Sequence, residues 1–212
     1  MLARLRPIYN QIIMPLGKAS LKLGFTPDTW TMFSLFAALL SGVLLAEGRF
    51  WAGLVLVLVM YIADGLDGAT ARAGGTSNRF GTVLDHVVDR YAEYIVLSGL
   101  AIGGWISPAA AMFTSSGVIM ASYVRAKAES AGGLKECTVG LAGRAEKLIL
   151  IYGAIILFGF GVNVVAEVMI WLAGLISHIT AVQRLLYTRT IILKSPLHGT
   201  KMPGAEIPGA EK

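Results

Sequence analysis

The chain has 212 residues, of which 55% are hydrophobic and 15% are charged, and its formal net charge is +5 at pH 7. A soluble domain carries about a quarter charged residues, so this composition excludes an ordinary soluble protein and favours a single membrane domain. The positive charge does not indicate nucleic-acid binding, because the basic residues gather at the ends of apolar segments. The single cysteine, Cys137, excludes an intramolecular disulfide.

The first 25 residues predict an amphipathic helix on a membrane surface. Arg4, Arg6, Lys18 and Lys22 are interleaved with leucines and isoleucines, a pattern typical of a helix that lies in the plane of a bilayer. A soluble interaction helix is the alternative interpretation. We therefore expect residues 1–25 to form a juxtamembrane helix ahead of the membrane domain.

Six apolar segments follow along the chain. A helix needs roughly 20 apolar residues to cross the hydrocarbon core, and the candidate spans are 29–47, 50–73, 80–102, 109–128, 145–160 and 164–187. We therefore predict an all-α integral membrane domain of six transmembrane helices over residues 26–192. The tail, residues 195–212, is rich in proline, glycine and charge, which is typical of disorder.

The basic residues predict how these helices are oriented. With six spans, the N-terminus, the second and fourth loops and the C-terminus share one side of the membrane. Of the 18 lysines and arginines, only Arg49 falls on the other side. Positively charged loops stay in the cytoplasm, so both termini are expected there. An odd number of spans would scatter the same charges over both faces.

Four aspartates interrupt the second and third spans. Asp64 and Asp67 are three residues apart and Asp85 and Asp89 are four apart, so each pair lies on one helix face. A short turn makes the two helices antiparallel neighbours, and the acidic faces converge. Each acid near the centre of a membrane helix costs about 2.5–3.5 kcal/mol, so a cation must compensate them. Oxygen ligands suit Mg²⁺, Mn²⁺ or Ca²⁺ and disfavour zinc.

Small residues and an arginine lie beside these acids. Gly65, Gly68 and Ala71 recur every third residue, and Gly81 precedes the second pair. They leave either a groove for a base or phosphate, or a surface for close helix packing. Arg72 suits phosphate oxygens but equally suits an interfacial position with its charge in the headgroup region. Both interpretations stay open on these residues alone.

Taken together, these residues resemble the CDP-alcohol phosphotransferase family. Its signature, D-x2-D-G-x2-A-R-x8-G-x3-D-x3-D, is complete here in Asp64, Asp67, Gly68, Ala71, Arg72, Gly81, Asp85 and Asp89. The resemblance implies a membrane enzyme that moves the phosphate-bearing lipid group of a CDP-linked lipid onto an alcohol and releases CMP. It also implies two Mg²⁺ or Mn²⁺ ions, a homodimer, and a cytoplasmic active site in the cell membrane of a prokaryote.

The family implies a role for each matching position. Asp64, Asp67 and Asp85 would ligate metal, and Asp89 would ligate in part and act as general base on the acceptor hydroxyl. The predicted groove for the CDP-lipid is made of Gly65 (included on spacing alone), Gly68, Ala71, Arg72 and Gly81.

The acceptor is predicted from cations on the same side as the aspartates. A phosphorylated alcohol carries up to two negative charges near pH 7 and would use them, whereas serine or choline would not. Plain topology and attraction to anionic lipid are the alternative. The motifs S-Y-x-R/K-A-x-A-E, R-x-E-R/K and Q-R resemble the inositol-phosphate-using branch of the family. The predicted pocket consists of Ser122, Arg125, Arg144, Lys147 and Arg184.

Two departures from the bacterial pattern favour an archaeal type of enzyme. Ala145 stands where proline is common, and Lys147 stands where arginine is common. Glycerol 3-phosphate remains the rival acceptor. From other classes, an ion transporter or a non-catalytic scaffold is the alternative, although transporter acids are usually spread along a pathway. Metal-dependent release of CMP separates an enzyme from both.

Overall fold

The computed structural model describes residues 6–76 and 78–194, with side chains from residue 13 onward, and within these residues the chain is all helical. The helices are α1 (Arg6–Lys22), α2 (Pro27–Ala46), α3 (Phe50–Gly74), α4 (Arg79–Ile102), α5 (Pro108–Ser130), α6 (Arg144–Gly159) and α7 (Asn163–Lys194). Each of the six apolar segments corresponds to one helix from α2 to α7. The predicted disordered tail, 195–212, and residues 1–5 of the predicted juxtamembrane helix lie outside the described residues.

Helix ends follow local sequence signals. Thr26 and Ser107 cap α2 and α5, and in both helices a proline follows at the first position, where no N–H is needed. α7 continues past the predicted end at residue 187 to Lys194. Its last two turns contain neither glycine nor proline, so nothing in them stops a helix.

Three helices are long and apolar enough to cross a membrane by length and composition, namely α2, α3 and α7. The other helices of the described residues are shorter or more polar. Large apolar side chains such as Phe36, Leu58 and Ile62 are exposed along α2 and α3. Such exposure is typical of helices that face lipid, where apolar side chains need not be buried in protein.

Close packing of α2, α3 and α4 fixes the frame of the molecule. α2 packs against both α3 and α4, while α5 packs along α7 and α6 joins the same core. A Cβ atom at Gly99 would collide with the backbone of Gly42, so α2 and α4 cross where only glycine fits. α1 is held to α3 in the same way, because a Cβ at Gly17 would lie 2.6 Å from the backbone of Ala69.

The turn between α3 and α4 places the aspartates. α3 is capped at its end by Gly75, whose φ of 62° lies in the left-handed region that favours glycine. α4 begins after Asn78, whose side chain accepts the N–H of Gly81 at 2.6 Å. Both helices pack against α2 and make little direct contact with each other, but the short connection places the polar end of α3 and the polar start of α4 at one end of the bundle.

Candidate functional site

Three carboxylates converge between the end of α3 and the start of α4. One oxygen each from Asp64, Asp67 and Asp85 lies within 4.8 Å of the others. Asp67 is buried and the other two are half-buried. We call these three residues the acid cluster. Their all-oxygen chemistry and mutual repulsion fit a hard divalent cation, so the donor set is compatible with the metal that the sequence predicts.

A buried threonine fixes the central carboxylate of the acid cluster. Thr31 Oγ1, near the start of α2, donates a hydrogen bond of 2.8 Å to Asp67 Oδ2. A bond of this kind orients a ligand oxygen without contacting the metal. The sequence analysis missed Thr31, since a lone threonine in an apolar helix gives no signal of its partner.

Asp89 lies beside the acid cluster and has a different partner. It is buried, and its Oδ1 accepts a hydrogen bond of 2.5 Å from Arg144 Nη2 at the start of α6. The same nitrogen is 3.5 Å from Asp64 Oδ1. Arg144 therefore links Asp89 to the acid cluster. The sequence predicts the same arginine as part of the acceptor pocket.

Two further charged residues extend this network. Glu93 is buried one turn after Asp89 and contacts Arg90 through both carboxylate oxygens, at 2.9 and 2.8 Å. The sequence analysis missed this pair. A signal was available, since Asp85, Asp89 and Glu93 recur every four residues and form one acidic stripe along α4.

A cavity of about 410 Å³ opens next to Asp89 between α4, α5, α6 and α7. We call it the basic cavity. All five residues of the predicted acceptor pocket line it, together with Asp89: Ser122, Arg125, Arg144, Lys147 and Arg184. These residues are up to 62 positions apart in the chain, as Ser122 is from Arg184. Helix packing therefore brings them together.

Two of the cavity cations already hold protein groups. Arg184 donates from Nε to Val139 O at 3.0 Å and from Nη1 to Ala121 O at 2.7 Å. Arg125 donates from Nε to Glu129 Oε1 at 2.9 Å. A guanidinium has five N–H groups, so each arginine keeps donors for a ligand while it also fixes the protein.

Lys147 is the cation without such a partner. It is buried, at 6% exposed, and lines the basic cavity. Among residues 6–76 and 78–194, no carboxylate lies within ion-pair distance of its amine. A buried unpaired charge is costly unless something compensates it, so this lysine is suited to an anion in the cavity.

The loop from 131 to 143 leads into α6 and contacts a cavity residue, because Val139 O accepts a hydrogen bond from Arg184 Nε. Its backbone donates from Cys137 N to Glu129 Oε1 at 3.0 Å and from Leu141 N to Gln183 Oε1 at 2.7 Å. These bonds tie the loop to α5 and α7. They thereby fix where α6 begins, and with it the positions of Arg144 and Lys147.

The five predicted CDP-lipid residues lie together at the same end of α3 and α4. A Cβ at Gly68 would be 3.0 Å from Arg72 Nη1, and one at Gly81 would be 3.4 Å from Asp28 Oδ1. Neither glycine faces a neighbouring helix backbone, in contrast to Gly99. Gly65 and Ala71 are half-buried and Arg72 is exposed. Helix packing therefore does not explain Gly68 and Gly81.

The chain belongs to the CDP-alcohol phosphatidyltransferase family, whose sequence profile matches residues 25–179. It is therefore a membrane-embedded, multi-pass enzyme of phospholipid biosynthesis that transfers a substituted phosphate group. This assignment confirms the family predicted from the aspartate motif, and it excludes the transporter and the scaffold.

Individual relatives agree with this assignment. The chain is 39% identical to the phosphatidylinositol phosphate synthase of Mycobacteroides abscessus over 194 residues, covering 87% of each chain. It is 34% identical to the archaetidylinositol phosphate synthase of Pyrococcus horikoshii over 185 residues, covering 87% of this chain and 94% of the relative.

A solved structure has the same fold. Phosphatidylinositol phosphate synthase of Mycobacterium tuberculosis with bound CDP-DAG superposes with a TM-score of 0.75 at 30% identity, over 91% of this chain and 99% of that one. The same enzyme in complex with manganese and citrate gives a TM-score of 0.74 at 31% identity, over 90% and 93% of the two chains.

Proposed function

We propose that this enzyme transfers the phosphatidyl or archaetidyl group of a CDP-linked lipid to a hydroxyl of inositol phosphate and releases CMP. The basic cavity beside Asp89 carries the proposal, because it gathers four arginines and a buried unpaired lysine around one space. A phosphate monoester brings up to two negative charges to such a space. The relatives named as phosphatidylinositol and archaetidylinositol phosphate synthases support the same acceptor.

The acid cluster would hold the metal, which we take to be two Mg²⁺ or Mn²⁺ ions. Asp64, Asp67 and Asp85 supply oxygen ligands, with Asp89 ligating in part. When bound, the metal neutralises charge on the phosphates and the leaving group. The converging oxygens support this assignment, as does the manganese complex of the solved relative.

Asp89 would act as the general base. Arg144 bonds to Asp89 Oδ1, and Asp89 lines the basic cavity, so Oδ2 would accept the proton of an acceptor bound there. The acceptor oxygen forms a bond to the lipid-side phosphorus while the bond from that phosphorus to CMP breaks, and the hydroxyl proton passes to Asp89. No covalent enzyme intermediate is required.

The groove beside the acid cluster would bind the CDP-lipid. Without side chains at Gly68 and Gly81, the base can approach the ends of α3 and α4, and exposed Arg72 can reach the diphosphate. Gly65 and Ala71 would border the same groove. CDP-DAG bound to the solved relative supports a CDP-linked lipid as the donor.

We further propose the membrane arrangement. Residues 1–25 would form the juxtamembrane helix, residues 26–192 would contain six spans, and 195–212 would form a disordered tail. Both termini and the site would face the cytoplasm of a prokaryotic cell, and the enzyme would work as a homodimer. The bias of basic residues to one side supports the orientation.

A CMP-release assay in detergent with Mg²⁺ tests the proposal. Inositol phosphate, glycerol 3-phosphate, free inositol and serine are compared as acceptors, each with CDP-diacylglycerol and with an ether-linked CDP-lipid. Turnover with inositol phosphate alone is expected. Turnover with glycerol 3-phosphate alone would keep the aspartate chemistry and remove inositol phosphate from the cavity.

A further inference from the structure

Two arginines approach Asp89, one at each carboxylate oxygen. Arg144 Nη2 bonds to Oδ1 at 2.5 Å, and Arg90 Nη2 stands 3.8 Å from Oδ2. Arg90 follows Asp89 directly in the chain, so its guanidinium needs only a small movement to reach that oxygen. If both arginines bonded to Asp89, neither oxygen would remain free to accept a proton from a substrate.

Glu93 competes with Asp89 for Arg90. It lies one turn further along the same face of α4 and meets the guanidinium at 2.9 and 2.8 Å, one oxygen on each terminal nitrogen. The contact at Oε1 is a hydrogen bond and the contact at Oε2 is an ion pair, and hydrogen bonds between ionised groups are stronger than neutral ones. Arg90 is thereby turned away from Asp89 Oδ2.

Glu93 is buried, so water cannot easily take its place as the partner of Arg90. Its side chain is 6% exposed and that of Arg90 is 18% exposed, so water contributes little to either charge. Glu93 Oε1 is also 3.7 Å from Arg144 Nε. Arg144 keeps Asp64 as a further partner at 3.5 Å, whereas removing the charge of Glu93 would leave Asp89 as the one remaining carboxylate within ion-pair distance of Arg90 among the described residues.

We propose that Glu93 is a positioning residue that holds Arg90 away from Asp89 and so keeps Asp89 Oδ2 free for the acceptor hydroxyl. This inference rests on the proposed role of Asp89 as general base. Glu93 does not belong to the acid cluster, whose three converging oxygens come from Asp64, Asp67 and Asp85. It acts on the reaction through Arg90, the arginine that it contacts most closely.

A double-mutant cycle tests the inference. The wild type, Arg90→Gln, Glu93→Gln and the double variant are purified in detergent, and kcat, the KM for inositol phosphate and the melting temperature are measured. With Arg90 present, Glu93→Gln is expected to lower kcat about tenfold or more while KM changes little. With Arg90 already removed, the same change is expected to leave kcat within about threefold of Arg90→Gln.

Two results would overturn the inference. One is a Glu93→Gln variant that melts earlier but keeps its kcat, which would make Glu93 purely structural. The other is an equal loss of kcat with and without Arg90, which would mean that Glu93 acts by another route. Should Glu93→Gln fail to fold, the comparison of Arg90→Gln with the double variant decides, because a loss of about tenfold there excludes a role through Arg90.

A failure of the proposed function itself looks different. It shows in the unmodified enzyme, as absent turnover with inositol phosphate, or in Asp89→Asn, as turnover equal to that of the wild type. The inference about Glu93 fails only in the ratios among the variants of this cycle.

Discussion

The acid cluster and the basic cavity meet at Asp89, but the fold builds them in different ways. The acid cluster comes from two consecutive helices joined by a short capped turn, so its geometry follows from spacing along about 26 residues. The basic cavity draws on four helices and on residues separated by most of the domain. Its geometry depends on how α5, α6 and α7 pack and on the loop that leads into α6.

The two regions also treat their charges differently. In the acid cluster, the carboxylates face one another and depend on a cation for compensation. In the basic cavity, Arg125 and Arg184 are already bonded to protein groups, whereas buried Lys147 has no hydrogen-bond or ion-pair partner among the described residues. We therefore expect changes in the cluster to alter metal dependence and changes in the cavity to alter acceptor affinity.

The largest expected effect lies where the two regions meet. Asp89→Asn keeps the shape of the side chain but removes its capacity to take a proton, so kcat is expected to fall about 10²–10⁴-fold, the range for general-base catalysis. CMP release at saturating substrates measures it. Glu136→Gln, an exposed acid in the loop after α5, is the matched control and is expected to remain active. Wild-type turnover in Asp89→Asn would remove the general-base role.

The next effect isolates the basic cavity. Lys147→Met removes the buried cation while filling a similar volume, so the KM for inositol phosphate is expected to rise about 10–100-fold, as for the loss of a charged hydrogen bond. The apparent affinity for Mg²⁺ should not change. Because Lys147 has no acid partner, the melting temperature without substrate should not fall.

Lys135→Met is the matched control for this prediction. Lys135 is exposed and does not line the basic cavity, so its replacement should leave the acceptor KM unchanged. An equal rise in KM for both variants would mean that the acceptor responds to the total positive charge near the membrane and makes no specific contact with Lys147.

Sequence reasoning was stronger for the acid cluster than for its surroundings, and the physical reason is range. Spacings of three and four residues report directly on a helix face, so the convergence of Asp64, Asp67 and Asp85 was predictable. The Asp67 bond to Thr31 joins residues 36 positions apart, and no periodicity encodes it. The position of Glu93 could have been predicted from the same spacing rule. Its pairing with Arg90 could not, because basic residues are common at the ends of all these helices and nothing in the sequence marks Arg90 as its partner.

The fold shows the same distinction. Helix positions followed from the apolar segments, and α7 alone ran clearly past its expected end. The crossing of α2 and α4 at Gly42 and Gly99 did not follow, because a glycine at a packing contact and a glycine beside a ligand groove look alike in sequence. In the structure, Gly99 faces backbone while Gly68 faces the tip of Arg72. The atoms that surround each glycine therefore distinguish a packing contact from a ligand groove.

The smallest effect isolates the acid cluster. Thr31→Val keeps the volume of the side chain but removes the donor to Asp67 Oδ2, so the carboxylate loses the bond that orients it. Loss of such a supporting bond weakens metal affinity or activity about 10–100-fold, and we expect the lower end because Asp64 and Asp85 remain. A Mg²⁺ titration of CMP release measures the shift.

The acceptor KM provides the internal control for Thr31→Val. Thr31 lies outside the basic cavity, so saturating Mg²⁺ is expected to restore most of the rate, with the KM for inositol phosphate unchanged. Ser34→Ala is the matched control, because it removes a buried hydroxyl that is bonded to the backbone of α2. The Mg²⁺ concentration that gives half-maximal CMP release should not change in this variant. A change in the acceptor KM of Thr31→Val with an unaltered Mg²⁺ titration would contradict the prediction. It would mean that Thr31 affects the basic cavity and not metal binding in the acid cluster.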